Sequence, residues 1–242
     1  MLIYNDSSRL AEQLQAFAQG QSNGSTSVQT DPLKVQKLEP GIKALESFGK
    51  RAYSAEMESQ RTILKDLLDA AQGFVNCNSS PYAEECDNAI SMTVDRLRSV
   101  YTQWKPVLSH SALLQSIGSL LSSVIAKMMT DVEDLSDIGD EESKKLRSYC
   151  DRISTIHDIF SHEPVEGEES RDMTGVYCPN WFKFQYLAEI MESSLADIKY
   201  LWTEGELSLE FDVEEVTDLI LALFLDNDHR RRAIAEIRRS GR

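Results

Sequence analysis

Leu113, Leu114, Ile117, Leu120, Leu121, Val124, Ile125 and Met128 are the cleanest periodic signal in the chain. At about 100° per residue these positions gather on one broad face of a helix. A face that wide and that free of charge must be covered by other elements if the chain is to fold in water. No apolar alternation of period two survives elsewhere over more than four or five residues, so the covering elements are expected to be helices. Ser109 or Ser111 stands where a side-chain oxygen would cap the first turn.

Around this helix the pattern reads as a series of others. Residues 2–19 form an amphipathic helix with Leu2, Leu10, Leu14 and Phe17 on one face, and the Gly/Ser/Asn-rich stretch 20–31 is expected to be a flexible loop. Asp31-Pro32 reopens a helical pattern that Pro40 interrupts or restarts. Ile42, Leu45, Phe48, Ala52, Ile63, Leu64, Leu67, Leu68 and Ala71 then carry it to about Gln72. The C-N-S-S-P turn at 77–81 places Pro81 in the first turn of a helix bearing Ile90, Val94, Leu97, Tyr101 and Trp104, which Pro106 ends. After the central stripe comes an acidic connection at 131–142, then a helix from about Glu141 to Phe160 with Leu146, Tyr149, Ile153, Ile156 and Phe160 inward. The loop 161–180 ends in an apolar, Pro-bearing strip that should return to the bundle, and 182–203 reads as one helix burying Leu187, Met191, Ile198 and Trp202. Asp212 and Glu215 form an acidic capping box before Val213, Val216, Leu219, Ile220, Leu223 and Phe224. Asp226, Asn227 and Asp228 break that helix and cap the last. The expected fold is all-α: an elongated antiparallel helical rod over 1–160, then a compact C-terminal helical lobe over 161–242.

Chemistry finds few handles in this pattern. A net charge of -15 argues against general nucleic-acid binding, which needs clustered Lys and Arg. Cys77, Cys86, Cys150 and Cys178 never pair as C-x-x-C, so neither zinc nor a disulfide framework is expected and a reduced, cytosolic setting fits. No signal peptide pattern opens the chain, and no uninterrupted apolar run approaches a membrane span, so any membrane role is peripheral. Phosphate-binding glycine loops, nucleophile elbows and H-E-x-x-H helices are absent. His157 and His162, with Cys150, are the sole candidate ligand cluster, and their five-residue separation puts the two imidazoles about 140° apart on a helix. Glu214 and Glu215, like Glu168 and Glu169, are adjacent and so point apart, whereas acid–base work needs converging groups. No catalytic residue, metal or cofactor is expected.

The tail D-H-R-R-R-A-I-A-E-I-R-R allows two readings. In one, Arg238 and Arg239 complement the negative end of the helix dipole while Arg230, Arg231 and Arg232 pair with acidic segments. In the other, these five arginines form a recognition surface for an acidic partner or a headgroup layer, since the planar guanidinium binds carboxylates bidentately. Tyr177, Trp181, Trp202, Phe211, Val216, Leu219, Ile220, Leu223 and Phe224 are expected to make the core of the C-terminal lobe, with Gly205 just past a helix end.

The strings V-Y-C-P-N-W-F-K-F, S-S-L-A-D-I-K-Y-L-W-T-E-G and L-S-L-E-F-D-V-E-E-V-T-D-L-I-L-A-L-F-L-D-N-D-H-R-R-R-A-I-A-E-I resemble the C-terminal part of the zeste-white-ten family, whose fungal branch includes the Dsl subunit of an endoplasmic-reticulum tethering complex. V-D-R-L-R-S-V-Y-T-Q-W-K-P-V-L and L-L-Q-S-I-G-S-L-L-S-S-V-I extend a weaker similarity toward the N-terminus, while the stretch 20–31 departs from a packed family core. The resemblance implies a non-catalytic scaffold that helps capture COPI-coated vesicles returning from Golgi to endoplasmic reticulum and engages SNAREs. It implies docking of this region on an α-solenoid subunit of the neuroblastoma-amplified-sequence type, and a place peripheral to the endoplasmic reticulum. Animal members also serve at the kinetochore with Rod and Zwilch, which makes a spindle-checkpoint adaptor the alternative. The family is longer than this chain, so Met1 is expected to open a C-terminal fragment without the coat-binding and RINT-like subunit-binding portions.

Overall fold

In the computed structural model, which describes residues 1–22, 32–161 and 172–240, the chain forms α1 (Leu2–Ser22), α2 (Pro32–Asp69), α3 (Tyr82–Trp104), α4 (His110–Glu133), α5 (Asp140–Ser154), α6 (Thr174–Tyr177), α7 (Trp181–Ile190), α8 (Leu195–Thr203), α9 (Leu207–Glu210), α10 (Val213–Leu223) and α11 (Asp228–Ser240). Short 3-10 segments cover Gln72–Phe74 and Thr155–Phe160. The fold is all-α: among the described residues there is no strand, only an isolated bridge between Ser161 and Asp172.

α4 is the central element. Ser109 caps it by accepting a hydrogen bond from the Ala112 N–H at 3.4 Å, and all eight positions of the apolar stripe are buried. α2 and α3 cover one side of α4, and α6, α7 and α10 approach from others. By length and composition α4 could cross a membrane, but its apolar positions are committed to this core. Lys127 ties α4 to α2 through Asp69 at 3.1 Å while also pairing with Asp131 at 2.6 Å. The apolar strip after residue 172 returns to α4, as its composition suggests. Thr174 and Cys178 are buried, and the Tyr177 backbone lies so close to Gly118 that a Cβ there would collide with the Tyr177 carbonyl. Tyr177 stacks on Phe160, ring centroids 6.0 Å apart, which fastens the strip to the end of the preceding 3-10 turn.

The structure corrects several expectations. α1 turns Ser7 and Ala11 toward α2, not Leu2 or Leu10, which are exposed; Leu14 is half-buried. Gly49 faces Ser7, so small residues let the two helices approach closely where bulky ones would hold them apart. Phe48, expected in the core, is 49% exposed; Ile42, Leu64, Leu68 and Ala71 are buried as expected, and the buried face also takes in Met57 and Gln60. Pro40 does not interrupt α2, which continues through it for 38 residues, about 57 Å at 1.5 Å each. Proline removes one backbone hydrogen bond, and packing of the following residues on α1, α3 and α4 keeps the helix continuous. The expected helix over 141–160 is α-helical only to Ser154 and tightens to 3-10 from Thr155, although its five apolar residues are buried as expected. The single helix expected over 182–203 is two, broken at Met191–Ser194, because Ser194 starts α8 with a capping box to Asp197. Of the expected loop over 20–31, residues 20–22 are helical and the rest lies outside the described residues.

All but a few of the buried apolar side chains form one cluster from Met57 in α2 to Ile237 in α11, continuous across residue 160.

Candidate functional site

The C-terminal helices are seated by local devices that the sequence encodes. Asp212 donates its backbone N–H to Glu215 at 2.8 Å, closing the first turn of α10. Glu215 also receives Lys183 from α7 at 2.6 Å, and the Lys183 ammonium lies 4.7 Å from the centre of the Phe211 ring. α11 begins where Asn227 accepts the Arg230 N–H at 2.9 Å, and it packs Ala233 and Ile237 toward α8. Trp202 of α8 donates its indole N–H to Ser240 at 3.2 Å, and Lys199 bridges to Glu236 at 2.7 Å. Gly205 lies just past the end of α8, where a Cβ would come within 2.7 Å of the Leu201 carbonyl oxygen.

This seating divides the five arginines. Arg230 folds back, its side chain only 14% exposed, donating to the Phe224 and Leu221 carbonyls at 2.5 and 3.2 Å and pairing with Asp226 at 3.0 Å. It thereby satisfies carbonyls left open at the C-terminal end of α10. Arg231 pairs with Asp226 at 2.8 Å, and the two guanidiniums of Arg231 and Arg230 hold the Asp226 carboxyl below its ordinary range. Arg238 reaches Glu214 on α10 at 3.2 Å. Arg232 and Arg239 are exposed, and among the described residues neither forms an ion pair. Arg232 borders a cleft of about 420 Å³ between α8 and α11, with Lys199, His229 and Glu236 beside it and Ser194, Leu195 and Ala233 beneath. Three of the five arginines, Arg230, Arg231 and Arg238, thus pair with acidic residues of the chain itself, and Arg232 and Arg239 are left exposed.

Trp181, Trp202, Phe211, Val216, Leu219 and Ile220 are buried together, whereas Tyr177, Leu223 and Phe224 are half-buried. Leu223 and Phe224 border a groove of about 540 Å³ with Ile138, Ile190 and Met191. Their partial exposure follows from their place at the end of α10, where Phe224 already has an extended backbone.

The other candidates do not converge. His157 hydrogen-bonds the Ser154 carbonyl at 2.7 Å, Cys150 is fully buried, and His162 lies outside the described residues, as do Glu168 and Glu169. Among the described residues no three His, Cys, Asp or Glu side chains are placed to hold a metal ion. The four thiols are free and buried, and burial pushes them up, Cys77 and Cys150 to about 12 and Cys86 and Cys178 to about 11.

These features define an all-α domain whose charged chemistry is arranged in clefts on its surface. The chain belongs to the zeste-white-ten/Dsl family: residues 88–237 match the ZW10 C-terminal helical domain. The centromere/kinetochore protein zw10 homolog of Mus musculus is 29% identical over 209 residues, covering 83% of this chain and 26% of its own. The homolog of Arabidopsis thaliana is 27% identical over 176 residues, 72% of this chain and 24% of its own. The centromere/kinetochore protein zw10 of Drosophila grimshawi is 26% identical over 198 residues, 81% of this chain and 26% of its own. The chain thus spans about a quarter of the length of these relatives.

Proposed function

We propose that this chain is a non-catalytic docking scaffold of a vesicle-tethering complex. It binds an α-solenoid subunit of the neuroblastoma-amplified-sequence type through the outward face of α11 and links, through that complex, to SNAREs and to retrograde COPI vesicles at the endoplasmic reticulum. The observation that carries the reading is the division of the arginines on α11, whose residues up to Ile237 lie in the matched family domain. Arg232, beside a cleft, and Arg239 stay exposed and without ion pairs among the described residues, while Arg230, Arg231 and Arg238 hold the helix that presents them. Guanidiniums on a rigid helix suit acidic side chains of a partner.

Removing α10 and α11 is a poor test, because Val216, Ile220 and Ile237 belong to the core. Charge reversal of Arg232 and Arg239 leaves that core intact. Mixed with the solenoid subunit, Arg232→Glu/Arg239→Glu should bind at least about tenfold more weakly than the parent chain, with the difference shrinking as salt is raised. Equal binding by both proteins, each unfolding at the same temperature, overturns the reading of this face.

A second reading, a kinetochore adaptor acting with Rod- and Zwilch-like partners, draws support from the names of the relatives, which are centromere/kinetochore proteins. Localisation of the tagged protein through the cell cycle separates the two. Enrichment at mitotic kinetochores favours the adaptor, and a constant endoplasmic-reticulum pattern favours the tether.

A further inference from the structure

A second cleft in the C-terminal region has the opposite sign. Between α7 and α9, Phe182, Tyr186, Glu189, Glu206 and Glu210 border a hollow of about 430 Å³ that no Lys or Arg lines. Among the described residues none of these three carboxylates forms an ion pair, whereas Glu192, Glu214, Glu215 and Glu236 on neighbouring elements all do. All three glutamates share the cleft with Tyr186, whose hydroxyl is held above its ordinary range first by burial and then by Glu206, Glu189 and Glu210.

Phe182 gives the cleft an exposed aromatic ring. Phe182 is 55% exposed although large, and its ring lies over Gly175, where a Cβ would meet it at 2.6 Å. Val176, next to that glycine, is 67% exposed. An exposed aromatic ring beside unpaired carboxylates suits one class of ligand: a side chain with a long apolar stem and a delocalised cationic head. A guanidinium can stack on an aromatic face while donating in pairs to carboxylates.

We propose that this cleft docks a basic segment of a partner protein, with an arginine head among Glu189, Glu206 and Glu210 and an apolar neighbour on Phe182. Charge complementarity selects the occupant, since the hollow presents uncompensated negative charge on a chain whose net charge is already -15. The site is separate from the outward face of α11, so a partner could bind both at once.

The test uses a synthetic amphipathic Leu/Arg helical peptide and the same peptide with Glu in place of Arg, titrated into the whole chain by calorimetry at physiological salt. Binding of the Arg peptide alone is expected, weakened at least about tenfold by Glu189→Gln/Glu206→Gln/Glu210→Gln and several-fold by Phe182→Ala. Because a strongly acidic chain attracts any cation, the control is a triple Gln variant at the exposed Glu12, Glu46 and Glu84, which should bind as the parent does. All variants alter exposed or half-exposed side chains, and thermal unfolding confirms that each is folded. Failure of the Arg peptide to bind, or equal weakening by the two triple variants, overturns the proposal. So does sedimentation showing a dimer of the parent chain that Glu189→Gln/Glu206→Gln/Glu210→Gln dissolves, because the occupant is then a second copy. None of these results touches the Arg232/Arg239 face, whose own test uses a different variant.

Discussion

Single residues set the tightest tolerances in this fold. Gly118 is the clearest, because any Cβ there would collide with the Tyr177 backbone. Gly118→Val should therefore force α6 off α4 and cost about 2 kcal/mol or more, read from chemical denaturation. The buried thiols make a different prediction. With Cys77 and Cys150 at about 12 and Cys86 and Cys178 at about 11, almost no thiolate exists near neutral pH. A thiol reagent at pH 8 should modify the folded chain slowly and all four cysteines promptly in denaturant. Both effects also mark what sequence can convey at this scale. The missing C-x-x-C pairs were legible, but burial of each thiol was not. Nor does a glycine on an apolar face reveal which distant carbonyl rests on it. Small residues mislead in the same way on α1, where Ser7 and Ala11 are buried and Leu2 and Leu10 are not, since close helix approach outweighed side-chain hydrophobicity.

Helices are the scale at which sequence speaks most plainly. The α4 stripe, the Ser109 cap and the Asp212–Glu215 box are all where periodicity and capping chemistry put them. The break between α7 and α8 was also written, as S-x-x-D at Ser194–Asp197, but the apolar spacing from Leu187 to Trp202 runs straight through it and conceals it. For α11 the sequence showed a run of arginines without distinguishing their roles, which depend on where α10 ends. Those roles can be separated. Arg230→Ala strips two carbonyls of their donor and Asp226 of one of its two guanidiniums and should destabilise the chain by about 2 kcal/mol, whereas Arg232→Ala should stay within about 0.5 kcal/mol of the parent. The pH dependence of the seating of α11 follows from two depressed carboxyls, Asp226 just before it, beside Arg231 and Arg230, and Glu236 within it, beside Lys199. Their folded values lie below the ordinary 3.8 and 4.5, so their contribution is complete above that range and is lost as the pH falls through the lower folded values. Asp226→Asn should accordingly lower the melting temperature at pH 6 and have no effect once the parent carboxyl is itself protonated.

At the scale of the whole molecule, the buried cluster from Met57 to Ile237 joins the elements on both sides of residue 160. Unfolding by heat or denaturant should thus be a single transition, with far-UV and near-UV circular dichroism coincident from α3 to α11. The charges left without ion pairs lie on different elements of this common support: Arg232 and Arg239 are exposed on α11, and Glu189, Glu206 and Glu210 gather between α7 and α9. Net charge alone conveys only the acidic excess; the separation arises in folding, when Lys183, Lys199 and Arg238 pair with Glu215, Glu236 and Glu214 and leave the remainder uncompensated. The bond from Trp202 to Ser240 has a practical consequence of its own. One indole of three sits where α8 meets the last turn of α11, while Trp104 and Trp181 are buried elsewhere in the core. In a chain keeping Trp202 as its sole tryptophan, fluorescence emission becomes an optical gauge of that junction, shifting to the red when the terminal helix lifts, even while the rest of the molecule stays folded.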